Sequence, residues 1–201
     1  MGIAERRARQ KTSLRRQILD AALQMFAEEG YEAVTMRRLA QRIEYSPTAI
    51  YLHFADKDDL FRAVSDETFA GLIRRIERRR RQHADDPVAA LRAGLTEYAT
   101  FGLKHPEHYM VTFMLRQKAV SLEAFQGSVG AQAFGTLVDA VGRCAAGGHF
   151  RPLDVGVTAQ VLWASVHGLV ALHVVKKPFP FAPAKVLIET QIDTLVRGLL
   201  K

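Results

Sequence analysis

Cysteine is almost missing from this chain: Cys144 stands alone among 201 residues. A single thiol excludes an intramolecular disulfide and any Cys-rich metal site, and it points to a reducing compartment. Next to Ala145 and Ala146, Cys144 reads as a small core residue rather than a redox sensor. Strand signals are equally scarce, with no sustained apolar–polar alternation and no clustering of β-branched residues. There is no Walker loop, no Gly-x-Gly-x-x-Gly and no Gly-x-Ser-x-Gly, so the commonest phosphate-cradling and nucleophile-elbow chemistries find no support. The nearest approach to a metal-ligand spacing, His105-Pro-Glu-His108, fits neither common zinc-protease pattern and reads as a helix start with a surface histidine. No catalytic residue, cofactor or metal is therefore expected. Long apolar runs are also few. Val155 to Val175 carries no Lys, Arg, Asp or Glu and is long enough to span a bilayer. It holds Thr158, Gln160, Ser165, His167 and His173 and has no companion, so a helix buried over most of its surface is the better reading.

What is present is basic. Lys and Arg number 28 against 21 Asp and Glu, for a net charge of +7. Nucleic acid, an acidic membrane surface or an anionic ligand are the partners such a balance brings forward, although the same charge also serves simple solubility. Met1 to Ser13 contains Arg6, Arg7, Arg9 and Lys11 but does not read as a signal peptide, because Leu14 opens an amphipathic pattern rather than an apolar segment.

The periodicity predicts an all-α chain of about nine helices. Ile18, Ala22, Met25 and Phe26 continue one helical face from Leu14, and Gly30 ends it. Thr35 caps a short second helix through Leu39 and Ala40, and a break follows near Ile43 to Tyr45. Ser46 caps a third, with Pro47 at its first position, where the missing N–H costs nothing. Asp56 opens a longer helix that runs into Arg74 to Arg81, a solvated or domain-interface face. Asp85, Asp86 and Pro87 start the next helix, and His105-Pro106 marks another break. Ala119 to Ala146 reads as one helix stopped by Gly147 and Gly148. The helix from Val155 and a last one ending at Leu200 complete the chain.

With a plain three-helix subdomain as the alternative, two short helices joined by a tight turn over 35–54 fit a helix-turn-helix. In that arrangement one helix crosses the phosphate backbone and the next enters the major groove by its N-terminal residues. The run Ile18-Leu-Asp-Ala-Ala-Leu-Gln-Met-Phe-Ala-Glu-Glu-Gly30 is followed by Tyr31, Thr35, Leu39 and Ala40. Then come Ser46-Pro-Thr-Ala-Ile-Tyr-Leu-His-Phe54 and Asp56-Lys57. Together they closely resemble the DNA-binding domain of TetR-type (TetR/AcrR) transcriptional regulators. Trp163-Ala-Ser-Val-His167-Gly168 and His105-Pro106-Glu107 resemble segments of one C-terminal subclass of that family, marked by Trp-His-Gly.

The resemblance implies a DNA-binding domain over 12–72 and a helical ligand-sensing and dimerisation domain over 80–201. It implies a cytoplasmic homodimer that is not an enzyme, with double-stranded operator DNA and a small-molecule effector as partners and no membrane. A constitutive DNA-binding protein without ligand control is the alternative. Thr35 would cap and also touch a phosphate. Ser46, Pro47, Thr48 and Ala49 would begin the groove-facing helix, although no bidentate Arg or Gln stands there. Arg37, Arg38 and Tyr45 are then the added readers, with a solvated face as the alternative for Arg37. Tyr51 matches a phosphate-touching tyrosine, with a core aromatic as the alternative, and His53 lies beside it. Lys57 matches a phosphate-binding lysine. The basic leader either enters the minor groove or stays a solvated arm. Glu44 stands where the turn usually carries glycine, and a positive φ there would carry a cost.

In the second domain the resemblance places Tyr98, Phe101, Met110, Phe113, Met114, Trp163 and His167 around the effector; plain core packing is the alternative for each. Carboxylates are scarce nearby, with only Glu97 and Glu107, so a neutral or weakly anionic hydrophobic ligand is expected. Ile188, Ile192, Leu195 and Leu199 form an apolar stripe, and Gly168 permits close helix approach; these are the expected dimer contacts.

Overall fold

The computed structural model describes residues 3–115, 121–176 and 178–201, the side chains of residues 3–11 excepted. Among them are ten α-helices and no strand, the single β-bridge being Phe150 with Leu200. The all-α expectation holds, and two helix limits differ from it. α1 (Ile3–Ala33) begins well before Leu14. The charged side chains of the leader, Arg6, Arg7, Arg9 and Lys11, lie outside the described residues. Within α1 the chain breaks at Gly30, whose φ of 80° and ψ of 169° suit a residue without a Cβ.

α2 (Met36–Arg42) is capped by Thr35, whose Oγ1 accepts the Arg38 N–H at 3.2 Å. α3 (Pro47–Tyr51) is capped by Ser46, whose Oγ accepts the Ala49 N–H at 3.2 Å. The turn between them is a Schellman motif. The Tyr45 N–H reaches the Ala40 carbonyl at 2.9 Å and the Glu44 N–H reaches Gln41 at 3.2 Å. Its left-handed residue is Glu44, at φ 59°. Replacing Glu44 by glycine relieves about 1–2 kcal/mol of backbone strain and loses roughly 0.4–1 kcal/mol through the freer unfolded chain. Glu44→Gly should therefore gain between about 0 and 1.6 kcal/mol in urea unfolding; a loss of stability would contradict this reading of the turn.

α4 (Lys57–Arg81) starts on Asp56, whose carboxylate accepts the Asp59 N–H at 2.8 Å. α5 (Pro87–Lys104) starts on Asp86 in the same way, at 2.9 Å. α6 (Pro106–Tyr109) runs into a π-helical turn, Met110–Met114. The helix expected over Ala119 to Ala146 is two: α7 (Leu122–Gln126) and α8 (Val129–Ala146). Ser121 and Ser128 each cap a new start, their hydroxyls offering the backbone a local alternative to a continuous helix. Ala119 and Val120 lie outside the described residues. α9 (Val155–Val175) is capped by Asp154, and α10 (Ala184–Arg197) closes the chain.

The residues form two compact units. Of the described residues, the first takes 3–68 and 107–115, and the second 69–106, 121–176 and 178–201. In the first, α1 to α3 and the start of α4 enclose Ile18, Phe26, Leu39, Ile50, Leu60 and Phe61. Val111 of the π-helical turn belongs to that core. In the second, α5 packs on α8, α9 and α10. Leu91, Val141, Cys144, Leu162 and Val166 are its buried centre.

Candidate nucleic-acid interface and sensing segment

The face made by α2, the turn and α3 is rigid beneath and polar above. Ile50 is fully buried and Phe54 nearly so, which anchors α3 from below. Outward stand Thr35, Arg37, Ser46, Pro47 and Thr48, with Ala49 half-buried. Tyr45 is 45% and Tyr51 54% exposed, so Tyr51 is not a core aromatic. Among the described residues Arg37 makes no ion pair. Arg38 does: its Nη1 lies 2.6 Å from Glu29 and 2.6 Å from the Ala33 carbonyl. Of the two arginines expected to read DNA, Arg38, still half-exposed, also ties α2 toward the Gly30 break, and Arg37 is exposed. His53 is half-buried beside Phe54.

Lys57 opens α4 half-buried. Its Nζ donates to the Tyr31 carbonyl at 3.0 Å and lies 4.1 Å from the Tyr31 ring centroid. The Tyr31 hydroxyl in turn donates to Asp58. Arg15 and Arg16 pair with Glu67 at 3.3 and 3.4 Å. Leu52 was not among the residues expected to meet DNA. It follows Tyr51 and is 75% exposed. The signal was its place one turn after Thr48.

In the second unit three of the expected effector residues form one chain. The Trp163 indole N–H donates to the Tyr98 hydroxyl at 3.2 Å, and that hydroxyl meets His167 Nδ1 at 3.0 Å. An indole can only donate, so the Tyr98 oxygen accepts there, and the same oxygen meets the His167 ring nitrogen. Burial pushes the His167 imidazole below its ordinary 6.5. Phe134 packs edge-on to Trp163 at 5.9 Å. Phe101 is buried, with Arg75 5.8 Å from its ring centroid. Met110, Phe113 and Met114 ride on the π-helical turn in the first unit, with Phe113 against Tyr109 at 5.1 Å. His108 is half-buried and bonded through Nδ1 to Thr68 at 2.9 Å, not a surface histidine as its sequence context implies.

A folded-state pKa below the ordinary value means the fold prefers the neutral ring. The stability this contributes is present above pH 6.5 and is lost as pH falls through the lowered value. The melting temperature should therefore drop between about pH 7.5 and about pH 5, and less so in His167→Gln. Equal drops in both proteins would exclude His167 as the source.

Glu97 is 7% exposed and held by Arg79 at 3.1 Å and Arg75 at 3.8 Å. Part of the arginine run thus pins α4 to α5. Arg80 Nη1 donates to the Thr136 carbonyl at 2.9 Å. Cys144 is buried, bonds the Pro87 carbonyl, and burial pushes its thiol up to about 11; a thiol so protonated is not a redox sensor.

The expected dimer stripe needs correction. Ile188 and Ile192 are 6% and 3% exposed in the single chain. α10 turns them toward α5 and α9, so they have no surface left for a second copy. Leu195 and Leu199 are half-buried. No atom lies within 4 Å of where a Cβ on Gly168 would stand. The helix from Val155 is also less covered than expected, with Thr158, Ala159, Leu162, Val166 and Val170 its buried face.

Residues 18–64 match the family described as bacterial regulatory proteins, tetR family, and residues 91–195 match the tetracyclin repressor-like C-terminal domain. The chain belongs to the TetR family of transcriptional regulators. An HTH-type transcriptional repressor of Mycobacterium tuberculosis is 57% identical over 53 residues, which are 26% of this chain and 28% of that protein. The fatty acid degradation regulator FadR from Bacillus halodurans shares the fold with a TM-score of 0.79 and 23% identity. That match covers 91% of this chain and 98% of that one. FadR from Bacillus subtilis, solved in complex with stearoyl-CoA, superposes with a TM-score of 0.78 at 20% identity, covering 91% and 98%. In this TetR-family chain, α2 and α3 are therefore the helix-turn-helix.

Proposed function

We propose that this chain is a homodimeric cytoplasmic repressor that leaves a pseudo-palindromic operator when a small hydrophobic effector binds. Residues 12–72 bind DNA, and residues 80–201 sense the effector and dimerise. The observation that carries the reading is the outward face of the helix-turn-helix. Arg37, Tyr45, Thr48 and Tyr51 are exposed above a core fixed by Ile50 and Phe54. Thr35, Tyr51 and Lys57 contact phosphates, and the start of α3 enters the major groove. Binding should be steeply salt-dependent, each neutralised phosphate contributing about −0.9 to the slope of log K against log salt. Fluorescence anisotropy on a duplex enriched from a random pool measures this. A flat response, or equal affinity for single and paired half-sites, would refute the dimeric DNA-binding reading.

The effector takes the Tyr98–His167–Trp163 chain as its polar anchor within an apolar, aromatic setting. Among the described residues the buried carboxylate near it, Glu97, already faces two arginines and so is not free to balance a polycation. A neutral or weakly anionic hydrophobic molecule is the ligand class. Membership of the Trp-His-Gly subclass, through Trp163, His167 and Gly168, belongs to the same proposal. A thermal-shift screen over aromatic, fatty-acyl and cationic compounds tests it. Hits confined to polycations would overturn it, as would apolar hits that bind Trp163→Ala unchanged.

A further inference from the structure

We infer that Leu52 sets the sequence preference of the recognition helix by packing on the C5-methyl group of a thymine in the major groove. The inference rests on the DNA-binding reading above.

The argument begins with what α3 can offer a base edge. From Ser46 to Leu52 there is no Arg, Lys, Asn or Gln, so no side chain can make a bidentate pair with guanine or adenine. Ser46 Oγ accepts the Ala49 N–H as the helix cap. Pro47 has no donor, and Ile50 is fully buried. What remains outward is Pro47, Thr48, Tyr51 and Leu52, of which Leu52 is the largest aliphatic group. A hydroxyl pairs with several base edges and discriminates weakly. The one apolar group that distinguishes a base in the major groove is the thymine methyl.

Leu52 is placed to use it. At 75% it is the most exposed large apolar side chain among the described residues. Its backbone is still helical, at φ −69° and ψ −14°, and its N–H donates to the Thr48 carbonyl at 3.1 Å. Leu52 therefore stands one turn beyond Thr48 on the same face, away from Ile50. In the free protein its side chain gives the fold almost nothing, because it is not removed from water. Packing on a methyl removes both groups from water and so favours one base without any hydrogen bond. Phosphate contacts from Tyr51 and Lys57 would fix register but carry no sequence information.

Deoxyuridine keeps every hydrogen-bonding group of thymidine and lacks only the methyl. A duplex enriched by the wild-type protein from a random pool is scanned by replacing each thymidine with deoxyuridine. Affinities are then measured for the wild type, Leu52→Ala and Leu52→Gln, after circular dichroism shows the variants folded. The wild type should lose roughly three- to tenfold in affinity at one position of each half-site. Both variants should bind that duplex more weakly and be indifferent to the methyl there. No position at which the wild type responds and the variants do not would overturn the inference, with DNA binding itself intact. Failure of the wild type to enrich any duplex would overturn the DNA-binding reading, and this inference with it.

Discussion

Phe26→Ala should destabilise the first unit by about 3–5 kcal/mol and abolish DNA binding. Phe26 has no exposed surface and sits at the middle of an aromatic group. The Phe61 ring meets it edge-on at 5.0 Å, and the Tyr31 ring lies over it at 5.9 Å. Truncation opens a cavity that the neighbouring helices cannot close, because Phe61 and Tyr31 are themselves braced at 5.2 Å. Tyr31 also anchors Lys57 through its carbonyl, so the damage reaches the start of α4. Tyr51→Ala is the contrasting case. That ring is half exposed, so its loss should leave the circular dichroism and melting temperature near wild type. It should weaken operator binding by roughly 1–3 kcal/mol, the scale of a lost hydrogen bond to a charged group. Unfolding by both variants would mean that Tyr51 is structural after all. Wild-type stability in Phe26→Ala would mean the core is not where these rings place it.

The helix starts were legible because they are local. Thr35, Ser46 and Asp86 cap through atoms three residues away, and Ser46-Pro47 and Asp86-Pro87 announce themselves in any context. The left-handed backbone at Glu44 was legible only through the family resemblance, because Glu44 stands where that turn usually carries glycine. What a sequence cannot specify is the partner of an apolar face. Ile188 and Ile192 carry a burial signal that is identical whether a second copy or the same chain covers them. Only the packing of α10 on α5 and α9 decides it. Val111 lies far along the chain from α1 yet completes the core around Phe26. Leu52 is the reverse case, an apolar residue in an apolar neighbourhood whose exposure no periodicity over so short a helix reveals. Arg38 reads like Arg37 in sequence, and only the carboxylate of Glu29 beside it separates their surroundings.

The other large expected effect concerns assembly. Val161→Glu combined with Leu172→Glu should convert the proposed dimer to a folded monomer. Along α9, Val157, Val161, Ala164, Gly168, Leu172 and Val175 recur at intervals of three and four residues, the seam spacing of packed helices. The four larger ones are 58%, 53%, 49% and 49% exposed in sequence order. They run opposite the face that Leu162, Val166 and Val170 bury. A stripe this long left in water is unusual for a single chain, and an identical stripe on a second copy would cover it about a two-fold axis. With no atom near the Cβ position of Gly168, a partner helix could approach closely there. Two glutamates per chain would place four carboxylates in the seam, where desolvation and mutual repulsion oppose association. Removing Pro183 to Lys201, by contrast, is not a clean test. It strips Ile188, Ile192 and Val196 from the core of the second unit and should cause aggregation whatever the dimer contacts are. Sedimentation velocity of the double variant, with circular dichroism alongside, decides the matter. A monomer with native helicity and weakened affinity for paired half-sites is the expected result; an unchanged sedimentation coefficient would move the interface off α9.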